Sequence, residues 1–263
     1  MKKLLSASVL VIGTVYSAYA ADLRPAYRAP PPPPAPPPSF TGCYLYGGGG
    51  YGLSNIDHSF QGTIGGLAVS TAETTSGGRG WLAGGGGGCD YQFGYGTGFW
   101  SNWVVGAFAD ADWMDIHRNA QETIVDGNLK ESSAWAVGGR IGYLVTPNVF
   151  TYWNGGFTQS KFDGVNASLS FTPFTPVASI PGHTFDGWFI GGGTEISLSG
   201  LFGLPLPSGL FWRSEYRYSS FNSANLVATG VPGGVTVIGN ESVKPFVQTI
   251  TTSLVYKFNW LGH

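Results

Sequence analysis

Charge is scarce in this chain. Of its 263 residues only 11% are Asp, Glu, Lys or Arg, less than half the share usual in a soluble globular domain, which argues against an ordinary hydrated exterior. Cations are not clustered either. Lys2 and Lys3 are the only adjacent basic pair and the formal net charge is −2, so no patch exists that could neutralise a row of phosphates, and nucleic acid is excluded as a partner. Cysteine occurs twice, as Cys43 and Cys89, too few for a dense disulfide framework. Long apolar runs are absent after residue 20. A helix needs about 20 apolar residues to cross the hydrocarbon of a bilayer, so any crossing beyond that point would have to be made by strands.

What the chain has in abundance is glycine, 42 residues, together with 15% aromatic and 43% hydrophobic residues. That much apolar material demands a core or a lipid face, and glycine scattered through it is hostile to helix and tolerable in twisted strands. The first 20 residues have a positive head at Lys2-Lys3, an apolar stretch from Leu4 to Val15 and a small-x-small site at Ala18-Tyr19-Ala20, the pattern of a cleaved secretory signal peptide. Residues 21–40 hold a proline run that forces an extended polyproline spacer on the periplasmic side. The folded domain is expected over residues 41–263.

Eight segments fit a period of two: 43–54, 81–93, 103–114, 131–145, 149–159, 184–197, 210–222 and 246–258. Between them the stretches 55–80, 115–130, 160–183 and 223–245 are long and rich in Ser, Thr, Asn and Gly, whereas 94–102, 146–148 and 198–209 are shorter. Alternating long and short connections, with an even strand number, predict an eight-stranded antiparallel transmembrane up-and-down β-barrel. Parity then assigns the faces. Trp103, Val105 and Trp113 oppose Asp110 and Asp112; Leu210, Trp212, Tyr216 and Tyr218 oppose Arg213, Glu215 and Arg217; Trp135 and Ile141 oppose Arg140; Trp188 and Ile190 oppose Glu195; and Phe246, Ile250 and Leu254 oppose Lys257.

A soluble lipocalin-like barrel has the same period with its faces exchanged. The export signal, the loop asymmetry and the aromatics Trp81, Trp103, Trp113, Trp188, Trp212 and Trp260 near segment ends favour the membrane form, whose aromatic girdles sit at the interfaces. Asp90, Asp110, Asp112, Glu195 and Glu215 then share the lumen with Arg140, Arg213, Arg217 and Lys257. These nearly cancelling charges are expected to form an ion-paired network that plugs a barrel too narrow for more than side chains. The glycine runs Gly47–Gly50 and Gly84–Gly88 leave room for such long side chains from the opposite wall, and a flat groove for a neighbouring protomer is the alternative use.

The stretches Thr41-Gly42-Cys43-Tyr44-Leu45-Tyr46-Gly47-Gly48, Gly187-Trp188-Phe189-Ile190-Gly191-Gly192-Gly193-Thr194-Glu195, Phe211-Trp212-Arg213-Ser214-Glu215-Tyr216-Arg217-Tyr218 and Leu254-Val255-Tyr256-Lys257-Phe258 resemble the immunogenic porin-like antigens. These are small outer-membrane barrels of α-proteobacteria within the opacity-protein-like group. The resemblance implies a structural surface barrel in a Gram-negative outer membrane that contributes to membrane integrity and is seen as a surface antigen. Narrow passive porins and, further off, barrels that bind ligands or adhere through their loops are its alternatives. The implied partners are outer-membrane lipid and lipopolysaccharide, with the barrel-assembly machinery during insertion; oligomeric state is left open. Members commonly end on the aromatic of the last strand, whereas here Asn259-Trp260-Leu261-Gly262-His263 follow Phe258.

Little points to chemistry. No Lys-Ser/Thr follows the glycine runs, so they are not phosphate loops. His58, His117 and His183 fall in three of the long connections with no Cys or acidic ligand at metal spacing, so no metal or cofactor is expected. Ser59 beside His58 is the only local nucleophile–base pair, and neighbours on an extended chain point to opposite sides; no enzyme is expected. Cys43 and Cys89 are candidates for a disulfide, because Ser54 facing Gly78 in a hairpin gives a constant index sum of 132, which also puts the two cysteines opposite each other. Opposed residues lie within disulfide range and the periplasm is oxidising. The alternative is two small apolar residues on the lipid face, separated by a shift in register.

Overall fold

The computed structural model describes residues 40–258 apart from 95–97, 99, 119, 122–124, 128–129, 170–175, 200–205, 208 and 231–236. The leader, the proline run and Trp260 lie outside the described residues. Fourteen strands follow in chain order: β1 (Gly42–Ile64), β2 (Leu67–Ser70), β3 (Thr74–Gln92), β4 (Trp103–Arg118), β5 (Ala120–Gln121), β6 (Val125–Gly127), β7 (Lys130–Thr146), β8 (Val149–Phe162), β9 (Val165–Leu169), β10 (Pro176–Ile180), β11 (His183–Ser197), β12 (Leu210–Phe221), β13 (Ala224–Gly230) and β14 (Val237–Phe258). Every pairing is antiparallel. Eight of the strands close into a ring in the order β1, β3, β4, β7, β8, β11, β12, β14, with β14 pairing back to β1. The remaining six are short pieces at the end of the ring that carries the long connections. Among the described residues there is no helix.

Closure explains why so glycine-rich a sequence is ordered: no ring strand is left with an unpaired edge along its shared length, so the backbone satisfies itself. At the lower end, where Gly42 and Phe258 lie, are the short connections, such as Pro147-Asn148 between β7 and β8. One of them has Gly94 at φ 54° and Asn102 at φ 70°, left-handed positions that glycine and asparagine tolerate. The lower strand ends agree with the periodic segments. The upper ends of β7, β11 and β12 agree as well, to within a residue, but those of β1, β3, β4, β8 and β14 do not. β1 runs on to Ile64, β3 begins at Thr74, β8 ends at Phe162 and β14 begins at Val237, so much of what composition assigned to the loops 55–80, 160–183 and 223–245 is ladder. Alternation persists there with Asn55 and Asp57 outside and Ile56 and His58 inside; a strand facing water needs no apolar outer residues.

The outer surface carries an apolar belt. Leu45 to Leu53 on β1, Trp81 to Tyr91 on β3, Trp135 to Tyr143 on β7 and Ile250 to Tyr256 on β14 expose their large side chains. Aromatic pairs mark its two rims, with Tyr51 against Trp81 at 5.2 Å and Trp135 against Phe157 at 5.5 Å above, and Tyr91 against Phe93 at 5.2 Å and Trp103 against Tyr143 at 5.8 Å below. Above the upper rim the outward side chains turn polar, as at Asn55, Asp57, Asp115 and His117.

Inside, two apolar clusters fill the ring. The lower one gathers Phe40, Tyr44, Val104, Phe108, Leu144, Phe150, Tyr152, Phe189, Phe211 and Val255; the upper one gathers Ile56, Leu82, Met114, Ile116, Phe162, Phe185, Phe221, Leu226, Val243 and Val247. The face assigned to charge therefore also carries aromatics, contrary to a strict division with aromatics only outside. Phe40, counted with the spacer, is fully buried between Phe150 and Phe211, so the ordered interior includes it.

Candidate functional site: the filled lumen

Within the lower cluster the inward parity of β3, β7, β11, β12 and β14 delivers Asp90, Arg140, Glu195, Arg213 and Lys257 to one level, all buried. Arg140 holds Asp90 as a fork, Nε donating to Oδ1 at 2.9 Å and Nη2 to Oδ2 at 2.5 Å, while Nη1 donates to Glu195 Oε1 at 2.6 Å. Glu195 also receives Arg213 Nε at 2.9 Å and lies 2.9 Å from Lys257 Nζ, which donates to Asp90 at 2.8 Å. The guanidinium of Arg140 stands 4.4 Å from the Tyr44 ring centre and 5.0 Å from that of Tyr152, and Lys257 Nζ lies 4.6 Å from that of Phe40. Aromatic faces thus solvate cations that water does not reach. Such charges persist only because each is paired: one left alone in this medium costs several kcal/mol.

A second level lies higher in the ring, with Glu215 two residues and Arg217 four residues beyond Arg213 along β12. Arg217 forks onto Asp110 at 3.1 and 2.7 Å and reaches Glu215 at 3.0 Å; Tyr46 donates to Asp110 at 3.0 Å and Tyr152 to Glu215 at 2.7 Å. Asp112 shares this level and borders a cavity with Tyr46, Asp110, Arg217 and Thr249. Gly48 and Gly84 line the same space, and a Cβ at Gly84 would fall on the Asp112 carboxylate. Glycine on one wall is what admits these long side chains. Of the nine charged residues singled out by parity, eight pair in two groups: the lower with Arg140, Arg213 and Lys257 facing Asp90 and Glu195, the upper with Arg217 facing Asp110 and Glu215, while Asp112 borders the cavity beside the upper group.

Glu131 escaped the sequence reading. Its parity in β7 points outward, but an irregularity between Glu131 and Ser133 turns it inward, where it is 1% exposed and accepts a hydrogen bond from Ser160. Burial lifts its carboxyl from 4.5 to about 7, the Ser160 hydroxyl pulling the other way. No periodic signal marks a bulge. The aromatic shell of Tyr44, Phe150 and Tyr152 was legible only in part, since an aromatic on the inward parity does not announce a cation partner.

Cys43 and Cys89 are directly opposed in the β1–β3 ladder and joined by a disulfide; both lie on the outward parity, as the alternative also had it. The three histidines separate. His183 packs on Phe185 at 4.8 Å, His117 pairs with Asp115 at 2.9 Å on the surface, and His58 is buried in the upper ring with Ser76 at 3.0 Å. Among the described residues no group of three ligating side chains could hold a metal ion. Ser59 points away from His58, as alternation requires; the hydroxyls at His58 come from across the hairpin.

No protein-family model matches this sequence, and no curated protein does. Solved structures match in shape. The outer membrane protein OprG of Pseudomonas aeruginosa is 12% identical with a TM-score of 0.45, over 83% of this chain and 97% of that one. The Neisserial surface protein A (NspA) is 11% identical with a TM-score of 0.35, over 83% and 98%. Ail, the attachment invasion locus protein of Yersinia pestis, is 12% identical with a TM-score of 0.30, over 79% and 98%.

Proposed function

We propose that this chain is a structural barrel of a Gram-negative outer membrane, exported by residues 1–20 and stabilising the membrane and its surface rather than conducting. The reading is supported by the closed ring with an apolar outer belt between aromatic rims, the form in which strands can satisfy their backbone in lipid. The observation that carries the structural role is Arg140. It is held by Asp90 and Glu195 and wedged against Tyr44 and Tyr152, so the lumen at that level is filled by groups that cannot move apart without stranding a charge. The barrel refolded into a planar bilayer should show no stable single-channel steps. Steady large openings would overturn the plugged lumen.

The second reading is a narrow passive porin, favoured by the cavity between Asp112, Arg217 and Thr249. It requires that cavity to join both ends of the barrel, and the same recording separates the two. Lipid and lipopolysaccharide on the belt, and the assembly machinery at insertion, are the partners this role entails.

A further inference from the structure

We propose that Ser76, His58 and Glu241 form a hydrolytic triad at the upper end of the barrel, acting on carboxylic esters with an apolar acyl group. Each residue comes from a different strand, β3, β1 and β14, and the registers bring them to one inner face. Thr74 is opposite His58, which puts Ser76 one diagonal step away, and Glu241 faces Phe60, one diagonal step to the other side. The Ser76 hydroxyl lies 3.0 Å from His58 Nε2, and Glu241 Oε1 lies 3.5 Å from His58 Nδ1. The carboxylate on Nδ1 favours the tautomer with its proton there, leaving the Nε2 lone pair toward the hydroxyl, which is the nucleophile–base–orienter order that acyl transfer needs.

Accessibility has the right sense as well. His58 is 6% exposed, whereas Ser76 is half-buried and Thr74 exposed, so a substrate can reach the nucleophile while the base is shielded. Beside them Phe60, Ile64 and Val237 form a small apolar patch, suited to an acyl chain. Thr74 lies on the same face of β3 as Ser76, with its hydroxyl 3.3 Å from His58 Nε2, and it is the side-chain donor placed to turn toward an oxyanion.

In the first half-reaction the Ser76 oxygen bonds to the ester carbonyl carbon as its proton passes to His58 Nε2. The carbon–alkoxy bond then breaks and the alcohol leaves with that proton. In the second, water attacks the acyl-serine, gives a proton to Nε2, and the acid departs as Ser76 regains its hydrogen. No oxidant or further reactant is needed.

The test uses the full chain refolded in detergent, a fluorophosphonate probe and p-nitrophenyl esters of short and medium acyl length. The probe should attach to Ser76, located by peptide mapping, and Ser76→Ala should abolish both labelling and turnover. His58→Gln, checked for heat-modifiable gel migration, should slow labelling by about 100-fold or more. Should that variant fail to fold, Glu241→Gln is the second measurement and should slow labelling while Ser76 stays in place. Absence of label at Ser76 in the folded wild type overturns the proposal, as does unchanged labelling in a folded His58→Gln or Glu241→Gln.

Discussion

Arg140 shows how much a single side chain can carry in this fold. Its fork on Asp90 and its bond to Glu195 satisfy two carboxylates that are otherwise shielded from water, so its removal is felt through them. Arg140→Ala should cost about 3–5 kcal/mol, read as a lower urea midpoint of the folded, heat-modifiable form, and Arg140→Lys should recover only part, because an ammonium cannot fork. Glu131 makes a different prediction. It lies above the rim residue Trp135, outside the span of the belt, and its carboxyl is raised from 4.5 to about 7 by burial. A raised folded pKa means that the folded state holds the proton more tightly than the unfolded chain does. The associated stability is complete below about pH 4 and is lost as pH rises through about 7. Glu131→Gln should flatten that loss between about pH 4.5 and 7 in thermal melts; an unchanged slope would contradict it. The charges of the lumen were legible because parity alone sorts them. Glu131 was not, since one irregularity in β7 reverses parity without leaving a mark in composition.

At the scale of the element, the β1–β3 hairpin shows what periodicity can and cannot deliver. A constant index sum was enough to oppose Cys43 and Cys89, because an uninterrupted antiparallel ladder propagates one correct pair along its whole length. The same sum opposes His58 to Thr74, so the approach of Ser76 to His58 was contained in the arithmetic, hidden by the assignment of both to a loop. Composition misleads there because Ser, Thr and Asn, common in turns, are above the belt the water-facing half of a strand. The disulfide closes a sequence separation of 46 residues, which in the chain-entropy account stabilises by about 4 kcal/mol. Thiol labelling of denatured, unreduced protein should find no free cysteine. Reduction should lower the denaturant midpoint while leaving the barrel able to fold, since every ring pairing survives. Two reactive thiols before reduction would refute the bond.

For the whole molecule, the lumen is a stack of barriers rather than one plug. The lower ionic level sets Arg140, Arg213 and Lys257 against Asp90 and Glu195; the next sets Arg217 against Asp110 and Glu215, with Asp112 beside them; above both, Met114, Ile116, Phe162 and Phe221 close the ring with apolar side chains. Positive charge is in excess below and negative charge above. Barriers in series mean that the tightest one remaining sets the current, and an apolar constriction can hold off water and ions even where no charge blocks them. Arg217→Ala should therefore widen the cavity, leave Asp110 and Glu215 without their cation and lower stability, yet still give no stable conductance in a planar bilayer, because the Arg140 level and the apolar level are untouched. Arg213→Ala should likewise remain closed. A steady channel from Arg217→Ala alone would show that neither of the other levels seals, and the stacked barrier would have to be abandoned in favour of a single gate at Arg217.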